Sequence, residues 1–244
     1  NSERHKSLLS NDNESTKIFI SNNDFKVNQN FIQKDLANTL LRIAKYGYME
    51  FYTGRTSDYI IKCMERTDGI ITKNDLLNYN VIERKPVTFD YRGYKFHSMP
   101  LPSSGGITIA NILNQIENIN LSEISFHSAE HIHLLSESEK RAYADRAEFL
   151  GDDDFVYVPI DSLISKSYAK YRFNTINPTK STESSSLNNM IKIKNESEET
   201  THYSVVDKYG NAVSVTMTVN GSFGCGITVD NAGFLLNNEM DDFS

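Results

Sequence analysis

The sequence predicts an α+β fold, and three observations carry that reading. Apolar residues recur at helical spacing through much of residues 31–171. They alternate at period two on either side of Arg92-Gly93, and again around Tyr209-Gly210. A stretch rich in Ser, Thr and Asn, from about Asn174 to Glu199, separates the last strand pair from all that precedes it.

Each element has a local reason. Residues 1–16, "NSERHKSLLSNDNEST", are polar, read as a mobile start and lack the apolar core of a signal peptide. Phe31, Ile32, Leu36, Leu40, Leu41 and Ile43 then form the core face of a helix that Gly47 ends. A second helix runs from about Ser57 to Arg66 with Ile60, Ile61 and Met64 inward. Thr72, with Asp75 three residues on, reads as a capping box opening a short helix through Leu76 and Leu77. Val87, Phe89 and Tyr91, then Tyr94, Phe96 and Ser98, make a hairpin about Arg92-Gly93. "PSSGG" follows, with Ser103 or Ser104 as N-cap, glycines for close backbone approach, and a stripe of Ile107, Ile109, Ile112 and Leu113. A long helix covers about Ser128 to Leu150, and a short one Ile160 to Tyr171. Beyond the polar connector, "THYSVVDKYGNAVSVTMTVN" gives two strands, the first expected to be buried, and Phe234 to Leu236 a short third one.

Composition narrows the functions available. The 244 residues suffice for a substantial core, with 39% hydrophobic and 23% charged residues as in ordinary soluble domains. A net charge of -7 without a basic stripe argues against nucleic acid as a partner. The apolar runs are too short to span a bilayer. Cys63 and Cys225 fit neither a disulfide framework nor a zinc pattern. The sequons at Asn13, Asn120, Asn195 and Asn220 arise readily in an Asn- and Ser-rich chain.

Several groups could carry chemistry. A threonine hydroxyl is a weak nucleophile that needs an adjacent base, and a threonine freed as a chain N-terminus supplies its own α-amine, of pKa about 8. Thr200 stands where a polar connector meets a strand, the place for such a cut, although Thr also begins ordinary strands. Asn237, Asn238, Glu239, Asp241 and Asp242 bunch after an apolar run, where they could hold an ammonium group or form a solvated turn. His127 and His131 lie one helical turn apart near His133, without a third ligand at zinc spacing. Asp152 to Asp154 lack the glycine and terminal glutamate of a calcium loop. "PSSGG" is neither a nucleophile elbow nor a phosphate loop.

Four stretches, taken together and in order, go further. They are "YRGYKFHSMPLPSSGG" from Tyr91, "EKRAYADRAEFLGDDDF" from Glu139, "TTHYSVVDKYGNAVSVT" from Thr200 and "GFLLNNEMDDFS" from Gly233. With their spacing, the chain from about Lys17 onward resembles the γ-glutamyltransferase (γ-glutamyl transpeptidase) family of N-terminal-nucleophile hydrolases.

The resemblance implies part of a four-layer αββα sandwich, made as a precursor that cuts itself into large and small fragments that stay associated. The cut falls between Glu199 and Thr200. This divides the chain into residues 1–199, the end of the large fragment with its linker at about 174–199, and 200–244, the start of the small one. Thr200 becomes the nucleophile toward glutathione or another γ-glutamyl compound, and the acyl group passes to water, an amino acid or a dipeptide. Thr218 matches the threonine that hydrogen-bonds the nucleophile. Asn220 matches a residue at the α-carboxylate and α-amino end of the donor. Asp242 matches the aspartate holding the α-ammonium, with Glu239 near it. No cofactor or metal is implied, and the family works in the periplasm, in secretions or at the cell surface. The family's donor-binding arginine is expected upstream of the matched span, and its oxyanion-hole serines and glycines downstream. The alternative reading is therefore a catalytically incomplete remnant acting as a structural or binding module. A related acylase with another acyl donor is disfavoured by Asn220 and Asp242, which suit a free amino-acid end.

Overall fold

The computed structural model describes residues 5–20, 28–187 and 200–242, the last two of these by their backbone alone. In chain order the helices α1 (Lys6–Leu9), α2 (Asn13–Phe19), α3 (Lys34–Tyr46), α4 (Met49–Thr53), α5 (Arg55–Thr67) and α6 (Lys73–Asn78) come first. Strands β1 (Val87–Tyr91) and β2 (Tyr94–Ser98) precede α7 (Gly105–Ile116), α8 (Ala129–Phe149), α9 (Ile160–Leu163) and α10 (Lys166–Phe173). Strands β3 (Thr201–Val206) and β4 (Ala212–Met217) follow, with short 3-10 turns between and after these elements. The chain is α+β, and it divides into two compact units, Asn1–Val81 with Asn195–Ser244, and Ile82–Lys194. Among the described residues no helix is long and apolar enough to cross a membrane.

In the first unit α5 supplies the core. Ile60, Cys63 and Met64 recur at i, i+3 and i+4 and pack with Leu76 of α6 and with Val229 and Ala232. The start of α5 has no Ser or Asp cap. Instead the buried Glu50 accepts the N–H groups of Arg55 (2.9 Å) and Thr56 (3.3 Å), while Arg42 donates to it at 2.8 Å. A carboxylate at a helix N-terminus meets unpaired N–H groups and the positive end of the dipole. Gly54 makes room for it, since a Cβ there would fall 1.8 Å from a Glu50 oxygen. The capping box of Thr72 and Asp75 forms as expected at α6.

Two expectations fail in this unit. Residues 5–20 are not a mobile start. They fold as α1 and α2, with Leu9, Asp12 and Ser15 buried, because long-range polar bonds hold this polar segment down. The expected core face of α3 is largely outside. Leu40 and Leu41 are 57% and 67% exposed, Phe31 and Ile32 precede the helix, and the buried residue is Thr39, which donates to the Ala232 carbonyl at 2.9 Å.

The second unit is built on the β1–β2 hairpin, in register Val87↔Ser98 through Tyr91↔Tyr94. Arg92 and Gly93 both have positive φ, as a two-residue turn of this hand requires. The hairpin packs Val87 and Phe89 against Leu101, Ile107, Ala110, Val158 and Leu163. Gly106 allows this approach, since a Cβ there would stand 2.3 Å from the Met99 carbonyl oxygen. Ser104 is the N-cap residue of α7, but its hydroxyl accepts from Arg146 rather than capping. Ile109 is exposed, and α7 buries Asn111, Asn114 and Gln115 instead. Their amides donate to Asp145 (3.0 Å), the Ile164 carbonyl (2.7 Å) and Asn111 (2.7 Å). The short helix expected at 160–171 is two, because Ser165 caps α10 afresh by accepting from the Tyr168 N–H.

The connector expected from Asn174 onward is tied down over its first part. Arg141 of α8 is fully buried and donates to Thr175 through Nε (2.7 Å) and to the Thr175 carbonyl (2.8 Å), as well as to Glu137 (2.8 Å). Glu137 also accepts the Thr182 N–H at 3.0 Å and Lys140 at 2.9 Å. A serine- and threonine-rich stretch thus satisfies a buried ion pair, which composition alone does not reveal. Residues 188–199, including Met190, Ile191 and Ile193, lie outside the described residues.

Burial pushes the Glu137 carboxyl up, but Thr182, Lys140 and Arg141 together bring it down to about 2. Its contribution to stability is therefore complete above the unfolded value of about 4.5 and is lost as pH falls toward 2. Glu137→Ala, which strands Arg141, should cost about 3–5 kcal/mol in urea unfolding at pH 7. It should also flatten the acid limb between pH 4.5 and 2, and expose residues 174–187 to protease.

Candidate functional site

The site expected from the sequence sits at one end of the β3–β4 hairpin. The ladder runs from Val206↔Ala212 at the turn to Thr201↔Met217 at the open end. Asp207 forms the turn, accepting from the N–H groups of Tyr209 (2.8 Å) and Asn211 (2.9 Å), and donors from Asn211 hold its carboxyl below the usual range. The strand expected to be buried is exposed along β3, because within the described residues this two-stranded sheet has no layer over either face. Continuing the register by one residue sets Thr200 across from Thr218. Residues directly opposite in such a ladder carry Cβ atoms about 5 Å apart on one face.

Beyond Thr218 the chain turns sharply. The Thr218 hydroxyl accepts the Asn220 N–H at 2.8 Å, and Asn220 takes a left-handed conformation, φ 68°. Asparagine tolerates that region better than most residues, its amide bonding locally to compensate. Here the buried Asn220 side chain donates to the Asn238 carbonyl at 3.1 Å. Asn238 returns two bonds. Its side-chain oxygen accepts the Gly221 N–H (2.9 Å), and its own N–H donates to the Val219 carbonyl (3.2 Å). Asn238 thus welds the 218–221 turn to the acidic tail. In the sequence it stood out only as one member of the polar cluster at 237–242.

The loop between is held as a narrow ladder. Cys225 donates to the Leu236 carbonyl (3.1 Å), Leu236 to that of Ile227 (2.9 Å) and Val229 to that of Phe234 (2.9 Å). The expected strand at Phe234–Leu236 reduces to one bridge, Thr228↔Leu235. Gly224 is obligatory, with φ 53° and a hypothetical Cβ only 1.9 Å from the Leu236 oxygen.

The structure therefore brings Thr200, Thr218, Asn220 and Glu239 to one end of the hairpin, and the 3-10 turn Glu239–Asp242 begins directly after Asn238. Its first N–H, of Glu239, donates to the Asn237 side chain at 3.0 Å. The backbone of Asp242 belongs to this turn, whereas its side chain and Glu199 lie outside the described residues.

The other candidates have contacts of their own. His127 stacks on Phe126 with ring centroids 3.9 Å apart, His131 is 6.3 Å from His127, and His133 bonds the Asn177 carbonyl. Asp152, Asp153 and Asp154 are close enough to share an ion, but Arg84 pairs with the last two. Cys63 and Cys225 are both free thiols, and burial pushes that of Cys63 up.

Comparison with known proteins identifies the family. The model of the family described as Gamma-glutamyltranspeptidase matches residues 1–244. A "Glutathione hydrolase proenzyme" of Escherichia coli K12 is 47% identical over 238 residues, 97% of this chain and 41% of that protein. One of Bacillus subtilis 168 is 36% identical over 93% of this chain and 41% of its own length. The chain thus spans about two fifths of the length of these relatives. Among solved structures, the Helicobacter pylori gamma-glutamyltranspeptidase is 42% identical over 79% of this chain and 57% of its own, with a TM-score of 0.72. A cephalosporin acylase of Bacillus halodurans, 22% identical, covers all of this chain and 43% of its own at a TM-score of 0.79, a likeness of fold alone. The α+β fold is that of the N-terminal-nucleophile hydrolases, and the chain, matched along its whole length, belongs to the gamma-glutamyltranspeptidase family.

Proposed function

We propose that this chain carries the nucleophile and part of the donor site of a γ-glutamyltransferase that also acts as a glutathione hydrolase. The observation that carries the reading is the β3–β4 register, whose last pair, Thr201↔Met217, leaves Thr200 and Thr218 next in line at the open end, beside the Asn220–Asn238 weld. Family membership and relatives named as glutathione hydrolase proenzymes support it.

In this reading the Thr200 hydroxyl first adds to the Glu199 carbonyl carbon. The C–N bond breaks, nitrogen leaves as the amine, and the acyl group remains as an ester on Thr200 Oγ1. Water cleaves the ester, giving Glu199 a carboxylate and Thr200 a free α-amine. That amine then takes the hydroxyl proton as Oγ1 attacks the γ-carbonyl of the donor. The departing amine takes the proton, and water or an acceptor amine releases the γ-glutamyl group. A hydroxyl both accepts and donates, so Thr218 can accept from Asn220 and present its own proton toward Thr200. Asn220, Glu239 and Asp242 grip the amino-acid end of the donor. The two fragments remain associated after the cut.

In the whole protein, intact-mass analysis and N-terminal sequencing should find a new terminus at Thr200. Thr200→Ala should remain uncut and release no amine from a γ-glutamyl anilide, whereas Thr218→Ala should be cut slowly. A protein that stays whole on long incubation overturns the reading. Activity of the cut protein should rise with pH through about 8, as the α-amine loses its proton and becomes a base.

Asp242→Asn removes a charge that binds ground state and transition state alike. It should raise KM tenfold or more, from a loss of about 1.5–3 kcal/mol, with kcat little changed. Steady-state kinetics on the cut enzyme checks this.

A further inference from the structure

The loop joining Asn220 to Asn238 has one bridge and no strand of its own, yet Thr228, Val229 and Ala232 within it are fully buried. What holds its turn comes from far upstream in sequence. Asp12, the N-cap residue of α2, is buried, and its carboxylate accepts the Thr228 N–H at 3.2 Å and the Ser15 N–H at 2.9 Å. The Ser15 and Thr228 hydroxyls, both fully buried, bond each other at 2.7 Å. Arg66 of α5 completes the cluster by spreading its fork over both carboxylates and the Thr228 carbonyl. It donates to Asp12 at 2.5 Å, to Asp230 at 2.8 Å and to the Thr228 carbonyl at 3.1 Å. Both backbone groups of Thr228 and its hydroxyl are thus claimed by α2 and α5.

We propose that Asp12, Ser15 and Arg66 form a clamp on the turn at Thr228–Asp230, and are positioning residues for the donor-binding end of the site. This rests on the reading of Asn220 and the acidic tail as that end. The force passes along the loop's own ladder. Thr228 fixes the pairing of Ile227 with Leu236, which fixes where Asn238 meets Asn220 and Gly221. The clamp has a second consequence, because Asp12, Ser15 and Arg66 precede the Glu199–Thr200 bond whereas Thr228 and Asp230 follow it. Once that bond is cut, the same cluster, buried at Asp12, Ser15 and Thr228, is a non-covalent tie between the fragments. Removing Arg66 strands the buried Asp12 carboxylate, so the tie depends most on that pair.

The test uses the whole protein with Arg66→Met, Arg66→Lys and the milder Thr228→Val, each checked for folding by thermal unfolding. Hydrogen exchange is the direct readout. Arg66→Met should lose amide protection at Thr228, Leu236 and Asn238 while α6 and the second unit keep theirs. In steady-state kinetics it should raise KM about tenfold and leave kcat within about threefold, the mark of a displaced binding group. Arg66→Lys, one point charge in place of a fork, should fall between the two. In native mass spectrometry under rising urea, the cut Arg66→Met and Thr228→Val proteins should release the small fragment before the parent does. Folded variants whose loop protection, KM and fragment release match the parent overturn the proposal. So does a uniform loss of protection and stability with KM unchanged, which is the signature of a merely structural role. If the parent proves uncut or inactive on γ-glutamyl donors, the reading of the site fails, while hydrogen exchange still decides the clamp.

Discussion

A carboxylate taken out of water must be met by donors that replace its hydration, and this requirement recurs through both units. Asp12 is met by Arg66, Glu50 by Arg42, Glu137 by Arg141 and Asp145 by Arg172. In each case arginine is the partner, and its planar fork reaches beyond the carboxylate to a backbone carbonyl or a hydroxyl. Segments that are distant in sequence are therefore joined by polar bonds of fixed direction. Apolar contacts alone would fix their proximity but not their orientation.

The same requirement explains why polar stretches are ordered. Residues 175–182 carry the hydroxyl and backbone groups that the Glu137–Arg141 pair needs. The segment around α2 carries the carboxylate and hydroxyl that close on Thr228. Such polar clusters stabilise little in net terms when complete, and cost much when broken. They are better understood as devices that select one arrangement than as sources of cohesion.

Local signals were legible in the sequence wherever the physics was local. The capping box at Thr72, the stop at Gly47 and the Arg92-Gly93 turn all follow from a few adjacent residues. Periodicity placed α3 but misassigned its face, because Thr39 is held by a bond to Ala232 that no window of sequence contains. The same limit applied to residues 5–20 and 174–187. At the candidate site, the roles of Thr200 and Thr218 came from resemblance, whereas the hairpin register, ending at Thr201↔Met217, puts them next in line at its open end. Asn238 was read only as one of the cluster at 237–242, because its part in the turn lies in three bonds to residues 17–19 positions away.

The hydroxyl pair of Ser15 and Thr228 also bears on inheritance. The two residues sit on opposite sides of the Glu199–Thr200 junction, yet their buried hydroxyls bond each other. A change at one position would leave the other's hydroxyl short of its buried partner, so the segments before and after residue 200 are coupled there. A chimera joining the first segment of one family member to the second of another must carry residues 12, 15, 66, 228 and 230 together as a set.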